Sequence, residues 1–139
     1  MQLLAAADLI LHGGDVSTAE VLAELERLGP LEAVFGNADE AALKEALPKE
    51  RVVEVDGARI GMVHIAGPRS GREERLVARF PGCQAVIYGH THAPQVEQHG
   101  GVWILNPGSP TERRRAPVRS MLILDVNGRT IRPRLVELP

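Results

Sequence analysis

The chain has little of what disulfide-stapled, membrane-spanning or nucleic-acid-binding proteins need. Among its 139 residues there is one cysteine, Cys83. No internal disulfide can form, so the fold has to rest on an apolar core, and a lone thiol suits a reducing, cytoplasmic setting. No apolar run approaches the roughly 18 residues of a membrane span, so no membrane partner is expected. Residues 1–7 carry neither the basic start nor the small-residue cleavage pattern of a secretory signal. Aromatic residues are one Trp, one Tyr and two Phe, too few to build stacking platforms for single strands. The net charge of −2 lacks the basic excess of a general nucleic-acid binder. Lysine occurs only as Lys44 and Lys49, which reads as genomic bias and not as function. The length suits a single domain, 1–139, large enough for a real core.

What is present is an alternation of short apolar runs and helical stretches. Residues 8–12 read as a buried strand that ends in Gly13 and Gly14. Ser17 or Thr18 can cap a helix whose apolar positions Val21, Leu22, Leu25 and Leu28 fall at helical spacing, and Gly29-Pro30 stops it. A strand over 31–35, the loop Gly36-Asn37-Ala38-Asp39 and a short helix over 40–47 follow. The pattern then changes to hairpins. Runs over 52–55 and 58–64 flank Asp56-Gly57, and runs over 121–126 and 130–136 flank Asn127-Gly128. Runs over 96–98 and 102–106 flank His99-Gly100-Gly101. Between these lie a helix over 71–80 and a strand over 85–88. Strand–helix–strand units followed by hairpins predict a mixed α/β fold, with two packed sheets and helices outside.

The apolar strands end in polar residues flanked by glycine. Asp15 follows the first strand, Asn37 the second, and His64 ends the first hairpin. His90 and His92 follow the strand at 85–88. Ligand sites of open α/β sheets lie beyond the carboxyl ends of strands. Asp offers hard oxygen, Asn a neutral carbonyl oxygen and His a borderline nitrogen, a mixed set that suits Mn, Fe, Zn or Ni better than Ca or Mg. A carboxylate such as Asp15 has two oxygens and can bridge two cations about 3.5–4 Å apart. Taken singly, each residue has a structural alternative: Asp15 as a helix cap, Asn37 at a left-handed turn position. The strongest single feature is Gly89-His90-Thr91-His92, where a glycine-led loop lets both imidazoles turn inward.

Gly14-Asp15, Gly36-Asn37-Ala38-Asp39, His64 and Gly89-His90-Thr91-His92 together resemble the successive motifs of the calcineurin-like metallophosphoesterases. Their order and spacing, and the segment from Asn106 to Arg115, resemble the small bacterial and archaeal phosphodiesterase branch. The resemblance implies a four-layer αββα sandwich of two mixed β-sheets flanked by helices. It implies hydrolysis of a phosphodiester or phosphomonoester, a small-molecule phosphate ester, by a metal-bound hydroxide. It implies divalent cofactors, manganese first, with nickel, iron or zinc as alternatives. Carried onto this chain, Asp15 bridges two metals, Asn37, His64 and His90 complete the second site, and His92 binds the first metal. Asn37 also lies near the substrate phosphate. The family resemblance further suggests a homo-oligomer.

The chain departs from the pattern in three places. No Asp-x-His occurs anywhere in it, although that is the first motif of the family. The domain is therefore expected to be N-terminally truncated, lacking the strand that would pair beside 8–12, and to bind one metal tightly where the intact family binds two. The bare strand edge is an aggregation hazard or a reason to self-associate. Ala38 stands where many relatives place a histidine acid, so esters with good leaving groups are favoured. His64-Ile65-Ala66-Gly67 lacks a glycine directly after the histidine. No residue is singled out as catalytic acid or base.

Arg113, with Arg114 and Arg115, is either a solvated charge run or a phosphate clamp that binds substrate. His12 is expected in the core, His99 in solvent at a turn, Cys83 as a small packing residue, Trp103 in the core or an interface, and Asp39 as a loop-orienting group. The alternative function is a catalytically impaired binding or scaffold protein on the same fold, favoured by the missing Asp-x-His.

Overall fold

The computed structural model describes residues 8–12, 23, 26, 27, 29–34, 47–91, 93–108 and 119–138. Its centre is a mixed five-stranded sheet in the order β3-β4-β5-β7-β6. The strands are β3 (Glu50–Val55), β4 (Ala58–Val63), β5 (Ala85–Tyr88), β6 (Gln95–His99) and β7 (Val102–Asn106). β4, β5 and β7 run parallel, while β3 and β6 are antiparallel edge strands. Helix α1 (Arg72–Arg79) connects β4 to β5. Two further pairs stand apart from this sheet: the parallel pair β1 (Ile10–His12) and β2 (Leu31–Ala33), and the antiparallel pair β8 (Arg119–Asn127) and β9 (Thr130–Leu138).

The central strands are apolar on both faces because both faces are covered. Ile60 and Met62 of β4, Ala85 and Ile87 of β5, and Leu105 of β7 share one core cluster with Val34 and Ile131. Leu9, Leu11, Leu122, Leu124 and Val126 pack against it, so both outlying pairs lie on this face. The intervening residues, Val63, Val86, Tyr88 and Ile104, form a second cluster with Leu76 and Phe80 of the helical side. A side chain at Gly61 would put its Cβ 2.5 Å from Phe80 Cγ, so glycine on β4 leaves room for that ring against the sheet. The layers are helix, five-stranded sheet and a second strand layer. Ala23, Glu26 and Arg27, inside the helix predicted to follow β1, are also helical. This is the mixed α/β sandwich that the sequence pattern implies. Among the described residues the second layer is two separate pairs and not one sheet.

Each of the three hairpins closes through two residues. Asp56 and Gly57 both have positive φ, 49° and 94°, as a type I′ turn needs. The other two turns differ from the expected residues. His99 belongs to β6, opposite Val102, and Gly100-Gly101 alone make the turn, with φ of 58° and 82°. His99 is consequently half-buried and not exposed. Asn127 pairs with Thr130, so the last turn is Gly128-Arg129, with positive φ at Gly128 only, as in a type II′ turn. Asp56 Oδ2 accepts a bond from Gly128 N at 3.0 Å, tying this turn to the β3–β4 turn. Among the described residues no helix is long and apolar enough to cross a membrane.

Candidate metal centre

The parallel strands β4, β5 and β7 end side by side. Val63 lies opposite Tyr88, and Ile87 lies opposite Leu105. Just beyond β4 stands His64, buried with 4% of its surface exposed. Just beyond β5 comes Gly89, whose N–H donates to His64 O at 3.0 Å and holds the two strand ends together. His90 follows with φ of 69°, a left-handed backbone that few non-glycine residues adopt. Thr91 N donates to Gly89 O at 2.8 Å, closing a three-residue turn centred on His90. With positive φ at its centre this is the rarer and more strained form of γ-turn. Backbone strain of this kind clusters at binding and catalytic sites, where the surroundings enforce it. Its result is that the His64 and His90 rings meet edge to face, centroids 5.3 Å apart and planes 77° apart.

Asn106, at the end of β7, is what enforces the turn. It is fully buried. Its Nδ2 donates to Thr91 Oγ1 at 3.0 Å and to Gly89 O at 3.5 Å, while its Oδ1 accepts from Gly108 N at 2.9 Å. One side chain thereby joins the loops after β5 and β7. A buried amide satisfied this fully rigidifies what it bridges.

The loop after His64 is fastened from α1. Arg75 donates to the carbonyl oxygens of Ser70 at 2.6 Å, of Ala66 at 3.2 Å and of Pro68. Arg72 donates to Gly67 O at 3.1 Å and to Tyr88 Oη at 3.4 Å, and its guanidinium carbon lies 5.2 Å from the centre of the Tyr88 ring. Tyr88 donates to Gln95 Oε1, and Gln95 Nε2 donates to Glu73 Oε1 at 3.0 Å. The backbone hydrogen bond to Glu73, and then the one from Gln95, hold its carboxyl below the usual range. This network ties α1 to β5 and β6 next to the histidine loop. Nothing in the local sequence marks Asn106, Arg72 or Arg75 for these roles, because every partner but the nearest loop carbonyls is distant in the chain.

The structure thus brings His64 and His90 together. Asp15, Asn37, His92 and Arg113 lie outside the described residues, as do Ala38, Asp39, Arg114 and Arg115. Among the described residues no three His, Cys, Asp or Glu side chains group as a metal site. The two imidazoles nevertheless fit a cation. Their rings meet just beyond the carboxyl ends of two adjacent parallel strands, and imidazole nitrogen is a ligand for Zn, Cu, Fe or Ni. Cys83 is buried and packs with the helical-side cluster, as expected of a small apolar residue, and burial pushes its thiol up.

Residues 1–129 match the calcineurin-like phosphoesterase superfamily domain. A protein of Methanothermobacter thermautotrophicus named probable metallophosphoesterase is 34% identical over 132 residues, 94% of this chain and 76% of its own length. A probable metallophosphoesterase of Methanocaldococcus jannaschii is 38% identical over 122 residues, 86% of this chain. The chain spans 61% of the length of that second relative. Among solved structures, Vps29 of Chaetomium thermophilum superimposes with a TM-score of 0.80 at 21% identity, covering 99% of this chain and 84% of that one. A structure described as a novel archaeal phosphodiesterase gives 0.72 at 25% identity, covering 94% and 84%. With residues 1–129 of its 139 matched by the family domain, the chain belongs to the calcineurin-like phosphoesterase superfamily.

Proposed function

We propose that this chain is a metal-dependent phosphoesterase that hydrolyses a small phosphodiester or phosphomonoester. The observation that supports it most is the meeting of His64 and His90 at 5.3 Å on the ends of two adjacent parallel strands. In this proposal Asp15, Asn37, His64 and His90 hold one divalent cation tightly, manganese in the first instance, and His92 contributes to a weaker neighbouring position. Divalent cations held there would lower the pKa of water and offset charge on the phosphoryl oxygens. Asn106 keeps His90 in its left-handed turn, so the imidazole is aimed before any ligand arrives. Arg75 keeps the loop after His64 from spreading into the site. Asn37 and Arg113 bind phosphate oxygens, Asn37 by its amide and Arg113 by a guanidinium fork. A second proposal, a binding or scaffold protein on the same fold, stands because a shared fold does not by itself fix catalysis.

Hydrolysis of bis(4-nitrophenyl) phosphate with added manganese separates the two. The phosphoesterase proposal expects His90→Ala and Asp15→Ala to lose at least about 100-fold in rate, above the 10–100-fold typical of outer-shell partners, with the fold intact by circular dichroism. Equal rates in wild type and both variants would remove the metal mechanism. An alkyl phosphodiester should turn over far more slowly than the nitrophenyl ester, because Ala38 cannot donate a proton to a poor leaving group.

A further inference from the structure

The chain holds three asparagines, Asn37, Asn106 and Asn127. An asparagine is lost when the backbone nitrogen of the next residue attacks its side-chain amide carbon. The new C–N bond closes a succinimide ring, the attacking nitrogen gives up its proton, and ammonia leaves. Water then opens the ring to aspartate or isoaspartate. The residue after the asparagine governs the reaction. Pro107, after Asn106, has no N–H to give up, and the methyl group of Ala38, after Asn37, crowds the approach. Only Asn127 precedes a glycine, Gly128, which has no Cβ and the widest backbone freedom.

The attacking nitrogen at this site is held by another turn. Asn127 and Thr130 pair across the mouth of the β8–β9 turn, so the ladder ends with them. Gly128 begins the turn with φ of 60°, and its N–H takes no part in the ladder. In an isolated hairpin that N–H would face water. Here it donates to Asp56 Oδ2 at 3.0 Å, across 72 positions of sequence. Asp56 and Gly57 make the β3–β4 turn, and the two tips are packed as well as bonded. A Cβ at Gly57 would lie 3.6 Å from Gly128 Cα and C.

A hydrogen bond to a carboxylate opposes ring closure in two ways. The N–H must leave its acceptor before the nitrogen can reach the Asn127 side chain. The negative charge beside it also disfavours the amide anion that attacks. The opposite effect would need the carboxylate to take the amide proton, and carboxylates are much too weak as bases for that.

We infer that Asn127-Gly128 is a site of succinimide-mediated deamidation, and that Asp56 guards it by holding the Gly128 N–H. Both products replace the amide with a carboxylate, on a turn that is bonded to Asp56 and stands two residues beyond Asp125. Isoaspartate also runs the main chain through the former side chain, adding one carbon to a two-residue turn whose length fixes the strand register. The modification would therefore part the tip of β8–β9 from the central sheet. The inference is independent of the phosphoesterase proposal, since no proposed metal ligand takes part.

The test incubates the whole chain in mildly alkaline buffer, folded and in denaturant. Asn127 is followed by peptide mapping with mass spectrometry, with aspartate and isoaspartate products separated by chromatography. Asp56→Gly removes the carboxylate and keeps a residue suited to positive φ, as in the Gly100-Gly101 turn. Folded Asp56→Gly is expected to lose Asn127 about three- to tenfold faster than folded wild type, the span of one exposed hydrogen bond. In denaturant the two chains should react alike. Equal folded rates would overturn the inference, and slower loss in Asp56→Gly would overturn it by making the carboxylate a base. A difference of the same size in denaturant would place the effect in the sequence and not in the bond, and would overturn it too. The unaltered chain gives a second reading that does not depend on the variant folding. Corrected for intrinsic rates, hydrogen exchange at Gly128 should be slower than at Arg129 by a similar factor, and equal protection of the two amides would remove the guarding role.

Discussion

On one face of the five-stranded sheet, Leu76 of α1 and Phe80 just after it are buried against Val63, Val86 and Tyr88, and the arginines of α1 fasten the loop beyond β4. On the other, β1–β2 and β8–β9 meet the sheet as two separate pairs with a cleft between them. The proposed metal ligands divide along the same line. His64 and His90 belong to the fastened half, whereas Asp15 and Asn37 follow β1 and β2 in the chain. The difference teaches that two histidines can be brought together by one layer alone, through a buried asparagine and a strained turn.

Core truncations give the largest contrast between the halves. Leu76→Ala, at a fully buried position, should cost about 2–5 kcal/mol in denaturant unfolding. Leu122→Ala, half-buried beside the cleft, should cost about 1 kcal/mol, in the range of ordinary substitutions. Equal losses would break the comparison. Next comes the clamp itself. Asn106→Ala leaves Gly108 N without its side-chain acceptor and removes the donor to Thr91 Oγ1, which keeps only the bond from Ala93 N, and should cost about 1–3 kcal/mol. It should also weaken manganese binding by about 10–100-fold, the usual effect of an outer-shell partner, read by calorimetry. Loss of stability with unchanged manganese affinity would reduce Asn106 to a packing role.

A smaller effect follows from Cys83. Burial pushes its thiol up, with Arg59 pulling partly the other way. Above about pH 8.5 the unfolded thiol ionises while the folded one holds its proton. The unfolded state then binds fewer protons, so stability is intact below that pH and falls as pH rises through the folded value. Cys83→Ala should flatten the alkaline limb of the stability profile, and an unchanged limb would show that the thiol does not control it. The smallest effect is expected at Arg79, which pairs with Glu50 across the open surface of the fastened half. Arg79→Ala should change stability by less than about 1 kcal/mol, because exposed ion pairs contribute little.

Much of the fastened half was legible in the sequence. Asp56-Gly57 announced its I′ turn, the run at 85–88 was a strand from end to end, and Gly89-His90 stood out because a glycine-led histidine loop after an apolar run has few structural uses. Two turns were displaced by a residue or less obvious type because Gly100-Gly101 and Gly128-Arg129 satisfy the strand twist with glycine φ alone, which lets His99 and Asn127 join their strands. The clamp could not be read in advance. Asn106 reaches residues fifteen and seventeen positions away in the chain, and only the alignment of β5 with β7 brings them within reach. Asp15, Asn37, His92 and Arg113 remain expectations of the resemblance, carried into the proposed function.

Titration of the chain with zinc, a diamagnetic ion suited to histidine nitrogen, addresses the central claim most directly when the ring nitrogens are followed by NMR. The account predicts that the His64 and His90 rings shift together and saturate at one equivalent, with His12 and His99 unmoved. Rings that respond at different zinc concentrations, or not at all while the fold persists, would contradict it.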